Sequence, residues 1–230
     1  MVQHLQKLDE LLSDKRNYLA SYDEAKKLLA ENENDVEVAW RWIQACHQKA
    51  LALTVFADKK VALIEGRELA QRLVVNFPEH GQLLKWAAMT TGKSVEFVGL
   101  TDKVRQGKIF KEYLDRASKL LPDDHRLLHL RARYKFSMSQ MSWIERKAVN
   151  ALFTDPPNST IEDALADFLE LHEKEPLWLD NLLYLGKCYS VIKDKAKAAE
   201  FLEKCLTQPA IDDEDEHHHK EARECLSKLK

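Results

Sequence analysis

The sequence predicts an all-α protein, built as an array of antiparallel helix hairpins. Glycine and proline contribute only six residues each to a chain of 230, against usual levels of roughly 7% and 5%. This shortage excludes a β-sandwich and a Pro-rich disordered chain, which need many more turn residues. Apolar residues make up 45% of the chain, enough for a buried core. Finally, apolar and small residues recur with helical spacing, and the pattern itself repeats along the chain.

Residues 1–34 are expected to form a degenerate first hairpin. Leucines on one face predict its first helix, and the second helix is predicted from Tyr22, Ala25 and Leu29. The polar face of the first helix mixes acidic and basic residues, so packing in the array is favoured over lying on a membrane. These leucines are Leu5, Leu8, Leu11 and Leu12.

Residues 35–210 are expected to form the repeats, and the last repeat is the clearest. In a tetratricopeptide frame of about 34 residues, Pro176 ends one unit and the next begins at Leu179. Small residues then fall where the two helices approach closely, at Gly186 and Ala198. Large apolar residues fall between the helices, at Leu182, Leu185, Tyr189 and Leu202. The sequence therefore predicts a right-handed, tetratricopeptide-like array.

Earlier units follow the same frame less regularly. Pro78 and Pro122 end successive units, but extra residues near 51–60 and 96–107 predict helices or loops longer than the consensus. A larger insertion covers residues 138–160. Residues 211–230 are expected to form a capping helix, since acids precede an apolar face and lysines end it, which complements the helix dipole.

The inserted segment carries a resemblance to a known family. The stretch from Met141-Ser142-Trp143 through Arg146, Leu152-Phe153 and Pro156-Pro157 to Ser159-Thr160 is similar to a motif of the regulator of microtubule dynamics family. With further matches at 35–40, 121–122 and 182–189, the resemblance covers roughly residues 35 to 210. It implies a non-enzymatic adaptor that associates with microtubules and influences the spindle and chromosome segregation. Some relatives carry a membrane anchor and use the same domain for lipid transfer, so a phospholipid-binding, lipid-transfer or membrane-contact module is the alternative.

A concave groove is the candidate binding surface. In such an array the face opposite the packing positions of each first helix lines the groove. Seven cations and one acid fall on this predicted surface, although the net charge of the chain is −3. A basic track attracts acidic extended peptides, such as the carboxyl-terminal tails of tubulin, and it also accepts phosphate headgroups. The candidate residues are Arg41, Trp42, Lys49, Lys85, Trp86, Lys93, Arg126, His129, Arg133 and Lys187.

Two plainer interpretations of this surface stay open. Lys and Arg are common on the solvated face of any helical array, and the groove aromatics pack equally well in a core, for example under the insertion around Trp143. The clamp that holds a free carboxyl terminus in chaperone-binding relatives is not expected, because its Asn positions hold Ala45, Met89 and Arg133.

No catalytic, metal or cofactor site is expected. The sequence lacks a P-loop, GxGxxG, GxSxG and HExxH, and the run His217–His219 is expected to be solvated. The cysteines show no CxxC spacing and are expected to be reduced and mostly buried. The absence of a long apolar stretch predicts no transmembrane anchor. We therefore expect a cytoplasmic, cytoskeletal protein of the spindle and its poles, with no nucleic-acid partner; a peripheral place on mitochondrial or endoplasmic reticulum membranes is the alternative.

Overall fold

The computed structural model describes residues 2–152 and 158–229. These residues form α-helices joined by short turns, two of which hold a single turn of 3-10 helix, and none of them lies in a β-strand. The predicted all-α class is thereby confirmed. The helices are α1 (Val2–Ser13), α2 (Tyr18–Glu31), α3 (Val36–Ala52), α4 (Phe56–Val74), α5 (Gly81–Ser94), α6 (Leu100–Leu120), α7 (His125–Ser139), α8 (Trp143–Leu152), α9 (Ile161–Lys174), α10 (Leu179–Val191), α11 (Lys195–Thr207) and α12 (Asp213–Leu229).

The chain divides into two compact units, residues 1–122 and 123–230. In unit 1, α1 to α5 each pack against the next helix along the chain, and α3 also contacts α1 and α5. In unit 2, α7 packs on α9, α9 on α10, α10 on α11, and α12 covers both α10 and α11. The hairpin boundaries predicted after residues 34 and 210 fall in turns within these units.

Local sequence explains where several helices begin. Asp35, Asp124 and Asp194 precede α3, α7 and α11, and each carboxylate accepts hydrogen bonds from backbone N–H groups of the first turn. A capping box starts α9, in which Thr160 and Asp163 bond to each other's backbone N–H. The caps of α3 and α7 fix the starts of two helices that carry candidate site residues.

The extra residues of the early repeats lengthen their helices. α3 has 17 residues, α4 has 19 and α6 has 21, whereas α10 and α11 have 13 each. The sequence left open whether longer helices or longer loops would absorb the extra residues, and most of them enter the helices.

Close packing in the last repeat follows the predicted pattern. Gly186 lies so near the partner helix that a Cβ atom there would be 2.5 Å from Cγ of Leu202. Leu182, Leu185, Ala198 and Leu202 are completely buried. The core of unit 2 therefore forms where α10 and α11 approach each other most closely.

Both ends of the chain pack as expected. Leu8 and Leu12 are buried in unit 1, so α1 is a packed helix of the array. In α12, Ala222 is fully buried and Cys225, Leu226 and Leu229 pack on the same core. The four cysteines are free thiols and three are buried, as predicted: Cys46, Cys188 and Cys205.

The insertion contributes one described helix, α8. Trp143 is 74% exposed and Ile144 is 62% exposed at its start, so Trp143 does not pack into a core. Residues 153–157, which belong to the family-like motif, lie outside the described residues.

Candidate functional site

In unit 1, the predicted groove residues lie on α3 and α5. Arg41 on α3 is held between two carboxylates: its guanidinium donates to both oxygens of Asp9 at 2.6 and 2.9 Å and to Glu37 at 2.8 Å. Only 11% of its side chain is exposed. Hydrogen bonds from Trp40, His80 and Arg41 outweigh the effect of burial on Glu37 and lower the pKa of its carboxyl group to about 2. Arg41 thus joins α1 to α3, and its charge is largely balanced.

The other end of α3 carries a second polar cluster, centred on Tyr22 of α2. The Tyr22 hydroxyl donates to Glu65 of α4 at 2.6 Å, and the ammonium group of Lys49 lies 3.5 Å from the centre of the Tyr22 ring. Burial, followed by the Glu65 contact, raises the pKa of the Tyr22 hydroxyl. Trp42 packs 6.3 Å from the Tyr22 ring and is buried. Both candidate cations on α3, Arg41 and Lys49, are partly buried.

The α5 candidates are less accessible than their sequence positions suggest. Lys85 and Trp86 are both buried, with 8% and 2% of each residue exposed. The Trp86 ring meets the His47 ring edge-on at 5.8 Å. Lys93, at the end of α5, forms an ion pair with Glu96 at 2.9 Å. Among the aromatic candidates of unit 1, the core-packing interpretation therefore describes both Trp42 and Trp86.

In unit 2, two of the candidate residues, His129 and Arg133, lie at one carboxylate, that of Asp180 on α10. The guanidinium of Arg133 on α7 donates to Asp180 at 3.1 Å. Nε2 of His129 lies 3.7 Å from one Asp180 oxygen, and Nε2 of His218 on α12 lies 3.5 Å from the other. Only 14% of the Asp180 side chain is exposed, so side chains from two further helices, α7 and α12, enclose this carboxylate.

An aromatic floor lies beneath these charges. The buried His129 ring is 4.7 Å from the Trp178 ring and 5.7 Å from the Phe168 ring. Because burial disfavours the charged imidazolium more than Asp180 favours it, the pKa of His129 is lowered to about 4. At neutral pH His129 is therefore an uncharged part of the core.

The two remaining cations of this face lie against Tyr184. The charged groups of Arg133 and Lys187 are 5.0 and 4.5 Å from the centre of its ring. Lys187 also forms an ion pair with Glu221 of α12 at 2.6 Å. Burial lowers the pKa of Lys187, but Tyr184 and Glu221 outweigh burial and the pKa is raised, so the side chain stays charged. Cation–π and ionic contacts thus orient both cations.

The structure brings His129, Arg133 and Lys187 together and keeps Arg126 exposed on the first turn of α7. Sequence reasoning counted Asp180, the one acid of the predicted face, but it missed Asp9 and Glu221, since they lie outside that face. Asp9 and Glu221 belong to α1 and α12, which the sequence predicts as terminal elements. The available signal was the spacing of three residues from His218 to Glu221, which places both on one face of the helix.

One expectation about α12 is wrong. The histidine run was expected to be solvated, but His218 and His219 are buried. His218 faces Asp180, and Nε2 of His219 lies 3.2 Å from the carbonyl oxygen of Cys205. Successive helix positions point in different directions, which leaves only His217 exposed.

Within residues 2–152 and 158–229, no group of three His, Cys, Asp or Glu side chains is arranged to hold a metal ion. No helix in the same ranges combines the length and the apolar character needed to cross a bilayer. Binding by the candidate residues remains a prediction from the sequence.

Comparison with known proteins gives matches along nearly the whole chain. The sequence profile described as Regulator of microtubule dynamics protein 1-3 matches residues 4–230. Regulator of microtubule dynamics protein 1 from Caenorhabditis elegans is 33% identical over 217 residues, which cover 94% of this chain and 96% of that protein. Regulator of microtubule dynamics protein 2 from Homo sapiens is 33% identical over 227 residues, 98% of this chain but 55% of that protein. The chain thus spans about half the length of the human relative.

A solved structure of a monomeric IFIT1 mutant with Gppp-AAAA aligns over 98% of this chain and 60% of that chain. The TM-score is 0.52 and the sequence identity is 14%, a similarity of fold alone.

Proposed function

Because the chain belongs to the regulator of microtubule dynamics family, we propose that it is a non-enzymatic adaptor that associates with microtubules and regulates their dynamics. The observation that carries this proposal is the family match over residues 4–230, which takes in both compact units. Action at the spindle and its poles, with an effect on chromosome segregation, is the cellular role that we propose for this activity.

The proposed partner is an acidic peptide such as a tubulin tail, and the proposed binding face in unit 2 comprises Arg126, Arg133 and Lys187. Arg133 and Lys187 retain 34% and 19% of their side-chain exposure, and both already contact carboxylates of this chain. A carboxylate of the incoming tail would replace Asp180 at Arg133 or Glu221 at Lys187. Tyr184 already orients both cations. Since exposed ion pairs contribute about 0.2–1 kcal/mol each, we expect cumulative, salt-sensitive binding.

Co-sedimentation with microtubules tests this proposal. We expect the purified chain to bind intact microtubules and to bind microtubules whose tubulin tails have been removed by proteolysis far more weakly. Equal binding to both preparations would contradict the tail mechanism, and binding to neither would contradict the microtubule association itself.

A pair of charge reversals localises the contact. Arg126→Glu changes an exposed residue of the proposed face, whereas Lys174→Glu changes an exposed residue at the end of α9 by the same charge. We expect Arg126→Glu to weaken binding several-fold and Lys174→Glu to change it little. The same loss in both variants would indicate attraction by overall charge.

A further inference from the structure

A groove opens in unit 1 between α4 and α6. Both helices pack on α5, which lies between them in the chain, but they hardly touch each other. Because short turns join the consecutive helices and each packs on the next, α4 and α6 run in the same direction. The space between them has a volume of about 590 Å³, within the usual range of roughly 300–1,000 Å³ for a ligand site.

The walls of the groove are in register. Its lining residues fall into pairs at one constant offset along the chain, as expected for two parallel helices: Gln71 with Gln106, Val74 with Ile109, and Pro78 with Tyr113. The guanidinium of Arg116 on α6 donates to the carbonyl oxygen of Pro78, in the turn after α4, and this contact fixes the register. The groove therefore has a polar level, an apolar level and a bridged end.

The polar level contains an unpaired acceptor. Oε1 of Gln106 is buried and accepts no hydrogen bond within the part of the chain that the structure describes. A buried acceptor in this state costs free energy that an incoming N–H or O–H group recovers. Gln71 supplies a second amide from the α4 wall, and each glutamine amide combines donors with an acceptor. The two amides therefore suit a ligand that both donates and accepts hydrogen bonds.

The apolar level lies next to these amides along the helices. Val75 lines the groove with 79% of its surface exposed, and Val74 and Ile109 line the same part of it. An apolar side chain that packs here is removed from water together with the exposed face of Val75. The ligand that fits both levels thus carries an apolar group beside its hydrogen-bonding groups.

The groove is electrically neutral. Among the described residues that line it, Glu112 and Arg116 carry the charges, and they form an ion pair at 3.1 Å. This pair has no net charge, so it does not attract an acidic tubulin tail. The chemistry of the groove therefore differs from that of the binding face proposed for microtubules, and its complementary partner is a segment without net charge.

The hydrogen-bonding requirement also decides the form of the ligand. A purely apolar molecule would leave the Gln106 acceptor unpaired, and an α-helix already pairs its backbone groups internally. An extended peptide presents one backbone N–H and one C=O per residue, and both need partners when they leave water. It also carries side chains that reach a neighbouring apolar surface.

We propose that the α4–α6 groove binds a neutral, extended peptide segment of a partner protein. A backbone N–H of this segment donates to Oε1 of Gln106, and the Gln71 amide pairs with a further backbone group. One apolar side chain of the segment packs on Val74, Val75 and Ile109. The site lies on α4 and α6 and does not depend on the microtubule face, which we place on α7 and α10.

Selection from a phage library of short random peptides tests this inference on the full chain. We expect enrichment of peptides that have no net charge and carry an apolar residue. In fluorescence polarisation, Gln106→Ala should weaken their binding roughly two- to tenfold, the effect of one hydrogen bond. This variant should be at least as stable as the wild type, because alanine removes the unpaired acceptor and is the better helix former.

The apolar level has its own variant and controls. Val75→Ser should weaken peptide binding several-fold, because the peptide side chain then packs on a polar surface. Val61→Ser changes another exposed valine of α4, and Gln6→Ala changes an exposed glutamine of α1. Both control variants should bind the peptides like the wild type.

Methylation of the peptide backbone identifies the hydrogen bond. A methyl group on the one peptide nitrogen that donates to Gln106 should weaken binding to the wild type. The same methyl group should cause little further loss in Gln106→Ala, because the hydrogen bond is already absent there. Equal effects of methylation in both proteins would contradict the proposed contact.

The inference is overturned if no peptide is enriched, if enriched peptides bind the groove variants as tightly as the wild type, or if the groove and control variants lose equally. It is also overturned if the enriched peptides are acidic and lose binding in Arg126→Glu, or if the wild type self-associates and Val75→Ser abolishes this. Gln106→Ala and Val75→Ser should bind microtubules normally, so failure of the microtubule proposal is seen separately.

Discussion

Replacement of Gly186 by alanine should destabilise unit 2, although alanine is the better helix former. A Cβ at this position would lie 2.5 and 2.7 Å from two carbons of Leu202 and 3.3 Å from the carbonyl oxygen of Ala198. Leu202 is fully buried and cannot turn away without displacing its neighbours. Overpacking of this kind costs about 1–3 kcal/mol, while Gly to Ala within a helix gains about 1 kcal/mol. We expect a net loss of up to about 2 kcal/mol.

Gly107 supplies the matched control, since it lies inside α6 and a Cβ there meets nothing within 4 Å. Gly107→Ala should stabilise unit 1 by up to about 1 kcal/mol. Urea unfolding followed by circular dichroism gives the overall change, and amide hydrogen exchange separates the two units.

A double substitution distinguishes overpacking from other causes. In the Gly186→Ala background, Leu202→Ala should cost less than it does in the wild type, because it relieves the crowding. If Gly186→Ala is instead as favourable as Gly107→Ala, or if the two substitutions at 186 and 202 are additive, the close approach of α10 and α11 is refuted.

Three further predictions follow from burial and charge. The pKa of His129 is lowered to about 4 from 6.5, so between these pH values the unfolded chain binds more protons than the folded chain. The free energy of unfolding should therefore fall by up to about 3 kcal/mol as the pH is lowered from 6.5 to 4. In urea unfolding measured across this pH range, His129→Gln should make the free energy of unfolding depend less on pH. Asp167→Asn should cost about 1–3 kcal/mol on chemical unfolding, because the buried carboxylate accepts from Arg131 at 2.9 Å and lies 2.7 Å from Lys135; no loss would show that the ion pairs add nothing. Trp143→Ala should change the free energy of unfolding by under about 0.5 kcal/mol, whereas Trp86→Ala should lower it by about 3–5 kcal/mol. The reason is that 74% of Trp143 but only 2% of Trp86 is exposed. Similar melting temperatures of the two variants would contradict these burial assignments.

Helix spacing was predictable wherever a backbone constraint repeats in the sequence. In the last hairpin, Pro176 follows the end of α9, and Gly186 lets α10 and α11 approach closely. Each effect depends on the residue type itself, because proline cannot continue a helix and glycine has no Cβ. Leu8 and Ala222 were likewise recognisable from apolar spacing alone. In these elements the helix propensity of the segment and its packing in the fold favour the same structure, so the sequence pattern is enough to predict it.

The electrostatics of the candidate face were not predictable in the same way. Arg41 and Lys187 meet Asp9 and Glu221, residues 32 and 34 positions away in the chain. Such pairs depend on which helices lie side by side and how far each is rotated, which periodicity does not specify. The burial of Lys85 was unpredictable for the same reason. The sequence predicts its position on the helix, but it does not specify how closely the neighbouring side chains cover it.

The packing of each helix mainly against its neighbours in sequence also has a kinetic consequence. Short loops close quickly, and arrays rich in local contacts are fast folders. During synthesis, each hairpin of residues 1–122 can dock on the preceding one as soon as it leaves the ribosome. We therefore expect the first compact unit to be protected from proteases while the second is still being translated.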